Sequence, residues 1–200
     1  MHKRTDSGET VSTTHAKREV YRGRQFAFTV EQVTHPNGVR TEMGIVRHPG
    51  STVIVPLFGD ETIGMLRQYR HAVRAYVYET PAGTMEPGED PLVCAHRELE
   101  EETGYRAGEM ICLGRTFLLP AYSDEVTHVY LARDLTKTSQ ALDCDEIIEV
   151  HRLPLEKVLA MIAAGEVIDA LSIVSIYHAV NFRSSGGRAG LHPSPPESRL

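Results

Sequence analysis

The sequence predicts a layered α+β domain, and three observations lead there. The chain has 200 residues and is 41% hydrophobic, which suits one core of ordinary size. Strand-like and helical runs do not alternate: several strands come first, then one helix, more strands and two helices, which argues against a doubly wound sheet. No internal repeat is present.

Taken in order, residues 1–18 are polar and without periodicity and read as a flexible arm. Short apolar runs at 26–32, 41–48, 52–57 and 62–69 are separated by His35-Pro36-Asn37-Gly38, Pro49-Gly50 and Gly59-Asp60, so each is expected to be a strand ended by a turn. A further strand, Ala75 to Glu79, leads into Thr80-Pro81-Ala82-Gly83, which reads as a turn or loop. Asp90 then suits a helix N-cap, with Pro91 in the first helical position and Gly104 just past the end. Leu92, Ala95 and Leu99 share one side of that helix. Strands at 110–116, 127–132 and 147–152 and helices at 155–164 and 170–181 complete the expected order, and the Gly-, Ser- and Pro-rich residues 184–200 read as a disordered tail.

The net charge is −6, which does not favour non-specific nucleic-acid binding. Cys94, Cys112 and Cys144 are too few and too scattered for a disulfide framework. The N-terminus lacks the apolar stretch of a signal peptide, and no run has the length of a transmembrane helix. A cytoplasmic protein is the expectation.

The chemistry concentrates on one helix. Residues three and four apart on a helix are neighbours, so Glu98 lies beside both Glu101 and Glu102, with Arg97 adjoining. Charge runs on helices are usually solvated faces. The alternative is a hard-cation site, because Mg²⁺ takes a few carboxylate oxygens together with substrate phosphate and water.

The surrounding residues favour the second reading. Residues 83–105, GTMEPGEDPLVCAHRELEEETGY, resemble the Nudix box, G-x5-E-x7-R-E-U-x-E-E-x-G-U with U a bulky apolar residue. Gly83, Glu89, Arg97, Glu98, Leu99, Glu101, Glu102, Gly104 and Tyr105 fill every specified position. Seven fixed letters at fixed spacing arise by chance at roughly one start position in a billion. The resemblance implies a Nudix fold, with mixed β-sheet layers sandwiched by helices, and a metal-dependent hydrolase of nucleoside diphosphates linked to another group. It implies Glu98 and Glu102 as main metal ligands, Glu101 near a second metal or its water, the Ala82 carbonyl in the metal shell and Arg97 orienting a carboxylate. Mg²⁺ is the expected cofactor, with Mn²⁺ as a substitute.

Flanking residues address the substrate. Arg67-Gln68-Tyr69-Arg70 followed by Tyr78-Glu79-Thr80-Pro81-Ala82-Gly83 is similar to the pattern of ADP-ribose pyrophosphatases and related nucleotide-sugar hydrolases. It implies Arg70 and Glu79 in substrate binding, with the Arg70 guanidinium on the pyrophosphate. Pro120, sixteen residues beyond Gly104, looks like the proline of the same subgroup, although Leu119 and Ala121 depart from its usual Ser and Gly. Tyr122 occupies a position where dinucleoside polyphosphate hydrolases carry tyrosine. For the catalytic base, which the subgroup places in a late loop, Glu146 is the choice, with Glu149 and Glu125 as runners-up.

The subgroup also implies an antiparallel N-terminal sheet, here 19–57, that forms a homodimer before a Nudix domain at 58–183. Phe28 is the candidate to stack an adenine, with Tyr21 and Phe26 beside it. The expected reaction converts ADP-ribose or a related nucleoside diphosphate sugar to AMP and a sugar phosphate. GDP-mannose, another nucleotide sugar or a dinucleoside polyphosphate is the alternative substrate. A non-catalytic nucleotide sensor of the same fold is the alternative of another class.

Overall fold

The computed structural model describes residues 9–187. They fall into two compact units, 9–49 with 119–125 and 50–118 with 126–187.

In the first unit β1 (Thr13–Arg22), β2 (Ala27–Thr34) and β3 (Arg40–Arg47) form an antiparallel sheet in that order. β2 alternates as a half-buried strand should, with Ala27, Thr29, Glu31 and Val33 inward. The β2–β3 turn uses the Pro36-Asn37-Gly38 signal, with Gly38 at φ 84°. β1 begins inside the segment expected to be a flexible arm. Nearly all its side chains are exposed, so no apolar alternation announces it, and its main-chain pairing with β2 makes it a strand. Residues 1–8 of that arm lie outside the described residues, as do 188–200 of the expected tail.

Residues 119–125 fasten to the edge of β3. Val46 N–H donates to the Tyr122 carbonyl at 2.8 Å and Asp124 N–H to the Val46 carbonyl at 3.2 Å. Arg47 bridges Asp124 at 2.8 Å and the buried Glu31 at 2.6 Å.

The second unit holds two sheets. One has the order β7 (Ala82–Thr84), β4 (Ser51–Pro56), β9 (Val126–Lys137), β8 (Tyr105–Phe117), with β4 parallel to β9 and antiparallel to β7. The other has the order β10 (Ile148–Pro154), β5 (Thr62–Arg70), β6 (Ala75–Glu79). Three helices pack on them: α1 (Pro91–Thr103), α2 (Leu155–Ala163) and α3 (Ala170–Ser184).

Strand periodicity divides the core. Ile54, Tyr130 and Ala132 meet Ala95 and Leu99 of α1, while Val53, Val55, Val129 and Leu131 join Ile63, Met65, Val158, Met161 and Ile176 in a second cluster. Every residue of β4 is therefore buried, as a central strand covered on both faces requires. Each large side chain so buried contributes roughly 1.5–3 kcal/mol.

Three expectations change. Residues 50–57 cluster with the larger unit and not with the N-terminal sheet, because β4 is its central strand. Ala82 and Gly83 belong to a short strand, β7, paired with Thr52 and Val53, where a turn or loop was expected. On α1 the buried side is Cys94, Ala95 and Leu99, while Leu92 is exposed.

Candidate active site

α1 is fixed at both ends as its sequence dictates. The Asp90 carboxylate accepts from Leu92 N–H at 2.8 Å, and Gly104 takes the left-handed conformation, φ 69° and ψ 33°. Ala95 and Leu99 press one side of the helix into the core, which turns the glutamates toward β7 and the end of β5.

β7 passes so close to the helix that any Cβ at 83 would force the Glu98 carboxylate to move. A Cβ there would stand 1.8 Å from Cδ of Glu98. Next to it, Ala82 N–H donates to Oε2 of Glu102 at 2.9 Å. The residue expected to offer its carbonyl to a metal thus also anchors the deepest carboxylate through its amide.

Arg97 joins the loop to the helix. Its Nε and Nη2 donate to the two oxygens of Glu89, each at 2.9 Å. Its Nη1 donates to Glu98 at 2.6 Å and Glu101 at 3.1 Å, and Nη2 also reaches the Thr84 carbonyl at 3.3 Å. The Arg97 hydrogen bonds, with a further one from Glu86 N–H, lower the Glu89 pKa to about 2.

Glu98 and Glu102 move the other way. Burial is the largest cause for both, and each is raised further by other carboxylates: Glu101 and Glu146 for Glu98, Glu98 and Glu146 for Glu102. Glu102 is only 3% exposed and stands well above the usual carboxylate range, despite the Ala82 bond and the Arg70 charge, which favour its anion.

Glu146 therefore sits within electrostatic reach of both glutamates. It closes a tight turn, with Asp143 N–H donating to its Oε2 at 2.9 Å and its own N–H to the Asp143 carbonyl at 3.1 Å. The runners-up are engaged elsewhere. Glu149 pairs with Arg67 at 3.5 Å, and Glu125, in the first unit, lies 3.8 Å from His48.

Arg70 ends β5 beside this cluster, its charge bearing on Glu102 and Asp169. Glu79, expected to bind substrate, is buried and spends both oxygens on Arg70, with Nε at 3.0 and 3.1 Å and Nη2 at 2.7 Å. A forked pair of this kind fixes the guanidinium plane. Pro120 and Phe28 belong to the first unit, where the Phe28 ring covers Gly44: a Cβ there would stand 2.6 Å from Cζ.

Sequence reasoning missed the support behind the loop. Ser172 accepts from Thr80 N–H at 2.8 Å and donates to Asp169 at 2.7 Å, so the start of α3 holds the residues before β7. The Asp-x-x-Ser capping pattern at 169–172 was visible, but no local signal links it to Thr80, 92 residues away.

The donor set suits a hard divalent cation. Among the described residues no three His, Cys, Asp or Glu side chains converge in a finished ligand group. Yet Glu98, Glu101 and Glu102 offer only oxygen donors, and the half-buried Glu98 and buried Glu102 repel each other. Arg97 engages one oxygen each of Glu98 and Glu101, which leaves each a second.

A model of the NUDIX domain matches residues 48–171. The chain belongs to the Nudix family. Two relatives are similar to this chain over most of their length. An ADP-ribose pyrophosphatase of Bacillus subtilis (strain 168) is 36% identical over 165 residues, 82% of this chain and 89% of that protein. A methanol dehydrogenase activator of Bacillus methanolicus is 36% identical over 162 residues, 80% and 88% of the two chains. The crystal structure of an ADP compounds hydrolase shares the Nudix fold, with a TM-score of 0.76 at 22% identity, covering 90% of this chain and 98% of the other. The protein is a Nudix pyrophosphohydrolase of a kind that needs a divalent metal. Among the described residues no helix is long and apolar enough to cross a membrane.

Proposed function

We propose that this enzyme hydrolyses the pyrophosphate of ADP-ribose, or of a closely related nucleoside diphosphate sugar, to a nucleoside monophosphate and a sugar phosphate, with Mg²⁺ as its usual metal and Mn²⁺ able to replace it. One observation carries the reading: Arg70, locked by Glu79, stands within electrostatic reach of the buried Glu102 of the glutamate cluster. A guanidinium of fixed plane beside a metal-binding carboxylate group matches the charge of a pyrophosphate on two sides. The B. subtilis relative, an ADP-ribose pyrophosphatase, supports the same substrate class.

Glu98, Glu101 and Glu102 would hold the metal, with the Ala82 carbonyl beside them. A bound divalent metal neutralises phosphate charge and makes water more acidic. Glu146 takes the proton of the attacking water as its oxygen bonds to phosphorus and the P–O bond to the leaving phosphate breaks. Arg70 bears on the negative charge of that leaving group. Arg97 orients Glu98 and Glu101. Pro120 and Phe28 remain candidates to meet the nucleoside and sugar, and a homodimer built on the N-terminal sheet is the expected assembly. A cytoplasmic location fits such a substrate.

The test is turnover of ADP-ribose, GDP-mannose and a dinucleoside polyphosphate under one Mg²⁺ concentration, with products identified. AMP and ribose 5-phosphate from ADP-ribose are expected. Preferred cleavage of another nucleotide would overturn the substrate assignment. Tight ADP-ribose binding with no turnover under any metal would establish a sensor instead.

A further inference from the structure

The last carbonyls of a helix have no partner within it and must find one outside. At the end of α1 a single segment supplies them. Thr138 N–H donates to the Gly104 carbonyl at 2.7 Å, the Gln140 side-chain amide to the Glu102 carbonyl at 2.6 Å, and Ala141 N–H to the Glu101 carbonyl at 2.9 Å. Gly104 makes this approach possible. A Cβ there would stand 3.0 Å from the Gln140 nitrogen, and the residue already needs φ 69°. The box glycine thus stops the helix and admits residues 139 and 140 against it.

Five residues beyond Ala141 stands Glu146, and the intervening chain folds on itself through the two Asp143–Glu146 bonds. Little slack separates anchor from base. The anchor grips the backbone of Glu101 and Glu102, two of the carboxylates expected to hold metal.

We propose that Gln140 is a positioning residue. Its amide fixes the 141–146 loop to the end of the metal helix, so that Glu146 and the glutamates of α1 keep one geometry. The inference rests on the reading of Glu146 as the base. The charge of Glu146 reaches both Glu98 and Glu102, and residues 138–141 are bonded to the end of α1, so its distance from them depends on where that segment docks. A contact from an exposed side chain to a helix carbonyl would ordinarily matter only to local stability. Here the two helix residues whose carbonyls it helps to cap carry the site's chemistry.

The experiment is a double-mutant cycle. Gln140→Glu keeps the side-chain shape and replaces the donor with an acceptor facing the Glu102 carbonyl; Gln140→Ala removes the group outright and stands in if the first variant folds poorly. Each is combined with Glu146→Gln, and kcat, KM and the Mg²⁺ half-saturation are measured on ADP-ribose or the best substrate found. Glu146→Gln alone should lower kcat by about a hundredfold or more, as loss of a general base does. Gln140→Glu alone should lower kcat on the order of tenfold, the effect of a displaced group, with KM and metal half-saturation within about twofold of wild type. The double variant should be no slower than Glu146→Gln, because both changes act through one carboxylate. Multiplying effects, or a Gln140→Glu enzyme with full kcat, would overturn the positioning role while leaving Glu146 as base. Full activity in Glu146→Gln would remove the base assignment itself and this inference with it.

Discussion

At Gly83 the constraint on the site is steric. Any side chain at 83 displaces the Glu98 carboxylate, since even a methyl carbon would overlap it at 1.8 Å. Gly83→Ala should therefore raise the Mg²⁺ half-saturation and lower kcat by about a hundredfold, while circular dichroism shows the fold intact. Glu89 gives a pH test. Its folded pKa of about 2 lies below the ordinary 4.5, so its pairing with Arg97 stabilises the protein fully above 4.5. That contribution is lost as pH falls from 4.5 toward 2. Urea unfolding across this window should show a steeper acid loss for wild type than for Glu89→Gln. Equal slopes would mean the Arg97 fork does not discriminate the two states of Glu89.

At the scale of elements, α1 bears a cost that its chemistry requires. Glu98 and Glu102 have raised pKa values, so their contribution is fully present below 4.5 and is lost as pH rises through their folded values. Above that range the metal-free protein carries two mutually repelling anions, Glu102 buried and Glu98 half-buried. Glu102→Gln keeps an oxygen for Ala82 N–H but removes one charge. Above the range in which Glu102 titrates, the metal-free variant should melt a few degrees higher than wild type, by about 1 kcal/mol, and at every pH it should be inactive. Mg²⁺ should raise the melting temperature of wild type and much less that of the variant. A variant less stable than wild type without metal would mean the repulsion is relieved another way.

The same helix was legible in the sequence almost to the residue. Asp90, Pro91 and Gly104 are local signals, and the observed Pro91–Thr103 follows them. β5, β6 and α2 are likewise announced by turns and periodicity. β1 and β7 were not. β1 buries almost nothing, so patterning is silent, and β7 is three residues long with its identity set by Thr52 and Val53 across the sheet. The site divides the same way. The glutamates and Arg97 follow from helical spacing, whereas the Arg70–Glu79 fork depends on the pairing of β5 with β6, and the Ser172 bond to Thr80 spans 92 positions. Contacts between distant segments leave no spacing to read.

For the molecule as a whole, the division into two units can itself be probed. Glu31 is 3% exposed, and although burial opposes its charge, Arg47 and Thr29 hold its pKa below the ordinary value. Arg47→Met would leave Glu31 buried without its main partner and release Asp124, a change of about 3–5 kcal/mol in typical buried pairs. Hydrogen exchange should then quicken across β2, β3 and 119–125 while the amides of β4 and β9 keep their protection. Uniform quickening would show that the two units unfold as one.

The docking of 119–125 on β3 also bears on how this protein can be recombined. These seven residues lie in sequence between β8 and β9, yet their anchors are Val46, Arg47 and, through Arg47, Glu31. A graft that moves 119–125 alone into a relative leaves those anchors behind, and one that replaces residues 9–49 alone strips them from the native loop. Chimeras meant to exchange Pro120 and Tyr122 must therefore carry the N-terminal sheet with them, as one inherited module written in two places along the chain.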